Sequence, residues 1–242
     1  MHGWWQEVAG LVLPVACGGC GRPRTLLCAE CGQALYGAGA RRVRPSPEPP
    51  GLPVVHAAAP YEDAVRAVLL GHKERGALGL AGALGSALAG AVRAAVTRPR
   101  AGAAAPLLLV PVPSARGAVR ARGHDPARRI ALAAAGELRR AGVPARVLAV
   151  LRQRRAVSDQ AGLSARERAA NLAGALEVVA GGGRLLEGGR TVLVDDLMTT
   201  GASLAEAARA LSATQERLIS VSAQVDAAVV AAPALSFEIN RN

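Results

Sequence analysis

The ten residues Val194-Asp195-Asp196-Leu197-Met198-Thr199-Thr200-Gly201-Ala202-Ser203 place two carboxylates and two hydroxyls ahead of a glycine. The preceding Thr191-Val192-Leu193 are β-branched or apolar and predict a short buried strand, while Ala202 to Ala213 has the pattern of a helix. A strand, a polar loop and a helix N-terminus form an anion site, because the first backbone N–H groups of a helix lack partners and its dipole favours negative charge there. Gly201 lets the chain approach a bulky anion, and the hydroxyls of Thr199, Thr200 and Ser203 add donors. Asp195 and Asp196 would repel an anion placed directly on them. They fit a bipolar ligand, with phosphate at one end and vicinal hydroxyls at the other, since carboxylates accept hydrogen bonds from a diol.

Working outward, 242 residues leave room for one sizeable domain and a small accessory one, and 51% apolar residues exclude wholesale disorder. The net charge of +11 suits nucleic acid, an anionic membrane surface or a polyphosphate. Lys73 is the only lysine, so the positive excess is arginine, which favours a bidentate grip on phosphate. Only 2% of residues are aromatic, too few for the stacking platforms of a nucleic-acid binder. No apolar stretch is expected to reach the roughly 18 residues of a membrane helix. The N-terminal segment lacks a basic n-region and contains Glu7, so the expectation is a cytoplasmic protein without a secretory signal. Trp4, Trp5, Val8, Leu11 and Val12 predict one face of a short helix that ends at Pro14 and docks on the body.

All four cysteines, Cys17, Cys20, Cys28 and Cys31, follow the pattern C-x2-C-x7-C-x2-C. Each C-x2-C turn presents two thiolates to one tetrahedral ion, which favours structural zinc over a disulfide or an iron–sulfur cluster. The stretch Gly37 to Pro53 is rich in Gly, Pro and Arg and predicts a linker. A head of residues 1–40 is thus joined through 41–52 to a body of 53–242.

The body alternates strand and helix. Leu52–Ala59, Pro106–Pro113, Ala145–Arg155, Thr191–Asp196, Leu218–Gln224 and Val225–Ala232 predict strands. Helices are expected over Glu62–Lys73, Ala77–Val96 and after Asp125, with Asp125 as cap and Pro126 in the first turn. Ser164 and Glu167 form a capping box for another. Gly76, Gly79, Gly82 and Gly85 recur every three residues and suggest close helix packing rather than a nucleotide loop. Arg116, Arg120 and Arg122 fall on a loop between strand and helix. The fold class is therefore α/β, a mostly parallel sheet flanked by helices with a small N-terminal zinc module, and ligands are expected at the carboxyl ends of the strands.

Val192 to Ser203 resembles the phosphoribosyl-pyrophosphate loop of type I phosphoribosyltransferases. The order of the four-cysteine head, "YEDAVRAVLLGHKERG", "PVPSARGAVRARGHDPA", "RQRRAVSDQAGLSARERAANLAGAL" and this loop is similar to the ComF family, related to a competence factor in bacterial DNA uptake. That resemblance implies that Asp195 and Asp196 hold the ribose diol, and that Thr199, Thr200, Gly201, Ala202 and Ser203 wrap the 5′-phosphate. It further implies that Mg2+ bridges pyrophosphate and ribose, and that Arg116, Arg120 and Arg122 face the departing oxygens. Arg152, Arg154 and Arg155, with Asp159 and Gln160, would belong to a hood that excludes water, and Lys73 is a further phosphate ligand. The family often continues its arginine loop as Arg-Gly-Phe-Asn-Gln, where this chain has Arg122-Gly123-His124-Asp125-Pro126. His124 is the nearest candidate base by position. Three functions follow: a Mg2+-dependent phosphoribosyltransferase, a non-catalytic sensor of phosphoribosyl pyrophosphate or a nucleotide, and an accessory of the DNA-uptake machinery that grips single-stranded DNA.

Overall fold

The computed structural model describes residues 15–97, 105–155, 157, 162, 164–215 and 225–237. The expected helix around Trp4 and Trp5, the strand at 218–224, and Asp159 and Gln160 lie outside them. A short helix α1 (Ala29–Tyr36) closes the cysteine head and is followed by strands β1 (Arg41–Val43) and β2 (Val55–Pro60). Helix α2 (Asp63–Glu74), a 3-10 turn (Leu78–Leu80) and α3 (Ala81–Ala95) lead to β3 (Leu107–Pro111). Then come α4 (Arg116–Arg122), α5 (Pro126–Arg140), β4 (Ala145–Val147), β5 (Leu151–Gln153), α6 (Ala165–Leu172), β6 (Leu176–Val178) and α7 (Gly182–Leu185). Strand β7 (Arg190–Leu197), α8 (Ala202–Gln215) and β8 (Asp226–Ala232) complete the described body.

Six strands form one sheet in the order β1-β2-β8-β7-β3-β4, parallel throughout except for β1. Both faces are covered, as near-continuous apolar strands require. Leu107, Leu109, Val192 and Val194 pack under α2, α3 and α5, while Leu108, Val110 and Leu193 pack under α8 and β5–β6. Connections from β3 run outward to β4, and those from β7 run the other way to β8. The carboxyl ends of β3 and β7 therefore flank a topological switch point, where an open sheet leaves a crevice.

Four local expectations change. The linker contributes β1, which pairs antiparallel with β2 and buries Val43; Val43 also bridges Phe237, in the C-terminal segment to which the sequence assigns nothing. Ala145–Arg155 divides into two strands. Leu148 donates its N–H to Leu109 O, after which β3 ends in Pro111 and leaves no partner; β5 pairs instead with β6 in a separate two-stranded sheet. The arginine loop is largely the helix α4, closed by Gly123 in the left-handed conformation. Finally, Leu78–Ala95 is 18 residues long with a mean hydropathy of 1.4, so by length and composition it does match a membrane span. Its buried face joins the core with α5 and the sheet, and 56% of the segment is buried there.

The recurring glycines separate. Gly76 adopts a positive φ of 67° in a turn, Gly82 faces open space, and Gly85 lies so close to α5 that an added Cβ would sit 2.4 Å from Ala133 Cβ. Helix propensity favours Ala over Gly by about 1 kcal/mol, whereas overpacking costs about 1–3 kcal/mol. Gly82→Ala is accordingly expected to raise the melting temperature and Gly85→Ala to lower it. Equal shifts in thermal unfolding would refute this packing.

Candidate functional site

A cleft of about 420 Å³ opens at the switch point. Its floor is the end of β7, one side is the Val112–Ala115 segment with α4, another is the C-terminal turn of α2, and Leu172 and Leu176 supply an apolar roof. Adjacent strand residues point to opposite faces. Asp196, in phase with Val194, points toward the α2 side, where its Oδ2 lies 2.8 Å from Lys73 Nζ. Asp195 is in phase with Leu193, and its Oδ1 accepts the Asp196 N–H at 2.8 Å. Both carboxylates line the cleft because the strand ends there.

Burial, then the neighbouring Asp196 carboxylate, pushes the Asp195 pKa well above its ordinary value; Lys73 only partly offsets this. Burial also opposes the Lys73 ammonium, but the charges of Asp196 and Asp195 outweigh it and raise its pKa. The cleft is thus short of positive charge beside Asp195, the condition in which a cation or a diol donor binds favourably.

Beyond Leu197, Met198–Gly201 turns into α8. Thr199, Thr200, Gly201, Ala202 and Ser203 are brought together around a small concavity, a cradle next to the cleft. Gly201 has φ of 77°, and a Cβ there would lie 3.0 Å from Leu52 and 3.3 Å from Pro45. The supposed linker therefore packs against the cradle, and glycine is required twice over.

The arginines part company. Arg122 lines the cleft, with its Nε donating to Ala118 O at 3.2 Å and its Nη1 paired to Glu74 at 2.9 Å. Arg120 instead borders a neighbouring depression with Asp125 and Arg152. Helical spacing separates the two, which a loop would not. Arg116 opens α4, but its side chain is not described. Arg155 donates from Nη2 to Asn171 O and Ala173 O, each at 2.9 Å, and so caps the end of α6 rather than lining the cleft. His124 faces backbone oxygens of Arg122 and His72 with its two ring nitrogens and lies outside the cleft lining. Asp125 caps α5 as expected, through the Arg128 N–H at 3.1 Å, and the Ser164–Glu167 capping box forms.

Sequence patterns missed several cleft residues. Gln153 of β5, Ser114, Leu172 and Leu176 reach it from the hood and the β3 loop, and no motif marks them. Nor is the hood's anchor visible in sequence. Glu206 of α8, 6% exposed, accepts from Leu176 N at 2.9 Å and from Arg209, which in turn donates to Leu176 O at 3.0 Å. From the hood, Arg168 Nη1 donates to Thr199 Oγ1 at 3.2 Å.

In the head, one ligand atom from each of Cys17, Cys20, Cys28 and Cys31 lies within 4.8 Å of all the others, and no disulfide joins them. Cys20 Sγ and Cys28 Sγ are 3.6 Å apart. A tetrahedral Zn–S₄ shell requires an edge of about 3.8 Å, given Zn–S of about 2.3 Å. Burial opposes the Cys17 thiolate, yet backbone N–H bonds led by those of Cys20 and Cys28 bring its pKa down to about 6, while burial and the other thiols push Cys31 upward. The four cysteines are positioned to bind a metal ion. Gly19 and Gly18 let the knuckle rest on Ala64 of α2 and on Leu80, so the head is packed onto the body.

No protein-family model matches the chain, and no curated protein matches it either. The class that fold and site define is an α/β protein with a mostly parallel sheet, a cleft at its switch point and an N-terminal four-cysteine cluster.

Two outcomes are expected. Cys17→Ser releases a bound metal ion and lowers the melting temperature; a parent protein purified without stoichiometric metal would remove the thiolate assignment. The second concerns pH. A carboxyl whose folded pKa is raised contributes stability below its unfolded pKa, near 3.9, and loses it as pH rises through the folded value. Between pH 4 and pH 8 the thermal stability of Asp195→Asn should therefore gain on that of the parent. A pH-independent difference would contradict the burial of an uncompensated charge at Asp195.

Proposed function

We propose that this protein is a phosphoribosyltransferase of type I, resembling the ComF family, which binds phosphoribosyl pyrophosphate with Mg2+ and displaces pyrophosphate from the ribose anomeric carbon. The observation that carries this reading is the placement of a carboxylate pair and an anion cradle on one continuous strand, loop and helix facing a single cleft.

Asp195 and Asp196 accept from the ribose hydroxyls, and the amides and hydroxyls of Thr199 to Ser203 hold the 5′-phosphate. Mg2+ would be held at the carboxylate side and neutralise charge on the leaving pyrophosphate. Bond breaking leads bond making at such a carbon, so negative charge grows on the leaving group while the ribose becomes cationic. Lys73 and Arg122 line the same cleft and supply fixed positive charge for that group. Leu172 and Leu176 shield the reacting carbon from water, which would otherwise hydrolyse the donor. In the head, the four-thiolate set fits zinc in a structural role, since a closed shell leaves no position for substrate.

Isothermal titration with phosphoribosyl pyrophosphate tests the reading. Binding should require Mg2+ and weaken by about 100-fold or more in the Asp195→Asn/Asp196→Asn double variant, the loss of two charge-assisted contacts. Absence of binding by the folded parent would overturn the proposal. Salt-dependent binding of single-stranded DNA in its place would favour the DNA-uptake accessory function, for which the net charge of +11 is the supporting feature.

A further inference from the structure

We infer that Arg168, on the hood helix α6, reads the terminal phosphate of the ligand and ties the hood to the phosphate-bearing cradle. The inference rests on the phosphoribosyl reading of the cradle and assigns to the cradle a cation that the sequence motif lacks.

The cradle, Met198 to Ser203, contains no positively charged residue, and the carboxylates of Asp195 and Asp196 precede it directly. Neutral amides and hydroxyls must then hold a dianion close to two acids, while Lys73 is paired with Asp196. Arg168 reaches in from a different element and donates from Nη1 to Thr199 Oγ1 at 3.2 Å. A hydroxyl has one proton and two lone pairs. When Thr199 accepts from the guanidinium, its own proton is free to point at an anion, and the accepted bond polarises it into a better donor. A phosphate seated between Thr199 and the helix start lies beside a planar guanidinium, the group best matched to phosphate oxygens.

The same helix carries the consequence to the cleft. Residues four apart share a helix face, and Leu172, four after Arg168, forms part of the apolar roof. The N-terminus of α6 is fixed by the Ser164–Glu167 capping box, and the strand after it is fixed to α8 through Glu206, Arg209 and Leu176. A contact between Arg168 and phosphate therefore positions Leu172. A ribose without the phosphate adds no anionic contact to Arg168. Arg168 is a binding and positioning residue that selects phosphorylated over unphosphorylated sugar.

The test compares the parent, Arg168→Ala and Arg168→Lys by titration with three probes in Mg2+: ribose 5-phosphate, phosphoribosyl pyrophosphate and inorganic pyrophosphate. Arg168→Ala should weaken the first two by the same factor, roughly 10- to 100-fold for one charge-assisted group, and leave pyrophosphate unchanged. Arg168→Lys should recover part of that loss. Hydrogen exchange supplies a readout that a merely structural role would not move: ribose 5-phosphate should protect the α6 amides in the parent and not in Arg168→Ala. Unchanged affinity for ribose 5-phosphate in Arg168→Ala overturns the inference, as does an equal loss for all three probes with a lowered melting temperature. A parent that binds none of the probes overturns the phosphoribosyl reading itself, and that result is distinguishable because it appears before any substitution.

Discussion

The end of strand β7 must accommodate two carboxylates at the carboxyl edge of a sheet whose interior is aliphatic. Val192, Leu193 and Val194 are fully buried, and the next two residues are Asp195 and Asp196. Strand alternation sends them to opposite faces, so an ammonium paired directly with one offsets the other only in part. Lys73 takes Asp196, leaving Asp195 with a backbone N–H as its described hydrogen-bond donor. Much of what surrounds the cleft answers that imbalance. The C-terminal turn of α2 supplies the ammonium, Glu74 one residue later holds Arg122 against the same wall, and the cleft between α4 and the hood leaves room for a ligand beside Asp195. A carboxyl held above its ordinary pKa by burial is a cost to the fold, and groups of this kind are enriched at functional sites.

Local chemistry made parts of this protein readable from its sequence. The strand before Asp195 is visible because a parallel strand covered on both faces is an apolar run. Asp125 and the Ser164–Glu167 pair are visible because a cap acts within three residues. The cysteine cluster is visible because its ligand pairs are fixed by two turns. Strand β1 was hidden because two of its three residues are arginines and a lone Val43 carries its burial. Helix α4 was hidden by Gly117 inside it, although Gly123 at its end was the signal that closes a helix. The division of Ala145–Arg155 depended on where its neighbour stops, which Pro111 sets from a distant part of the chain.

Residue spacing made the site legible along the chain but not across it. Asp195 to Ser203 form one continuous segment, and the structure assembles their expected concavity. Lys73, Arg122, Gln153 and Leu176 come from four other elements; the family resemblance pointed to Lys73 and Arg122, while only tertiary contact selects Gln153 and Leu176. With 29 basic residues in the chain, charge type alone could not tell Arg122, which lines the cleft, from Arg155, which caps a helix. A regular period did separate Arg120 from Arg122 once the segment was known to be helical.

Helix α8 joins the two halves of the site into one mechanical unit. Its first turn builds the cradle, and Glu206 and Arg209 further along hold both backbone groups of Leu176 in the hood. Burial opposes the Glu206 charge, but Arg209 and the Leu176 N–H hold its pKa below the ordinary value, so the clamp stays ionised at neutral pH. Removing Glu206 would leave the buried Leu176 N–H without its acceptor, at a cost of about 1–3 kcal/mol. On the opposite side, α2 and α4 are tied to each other through Glu74 and Arg122 and present Lys73 to the acid pair. A ligand spanning cradle and acid pair touches both assemblies at once. The apolar roof, held by the α8 assembly, and the basic wall, held by the α2–α4 assembly, therefore face the same cleft from different sides.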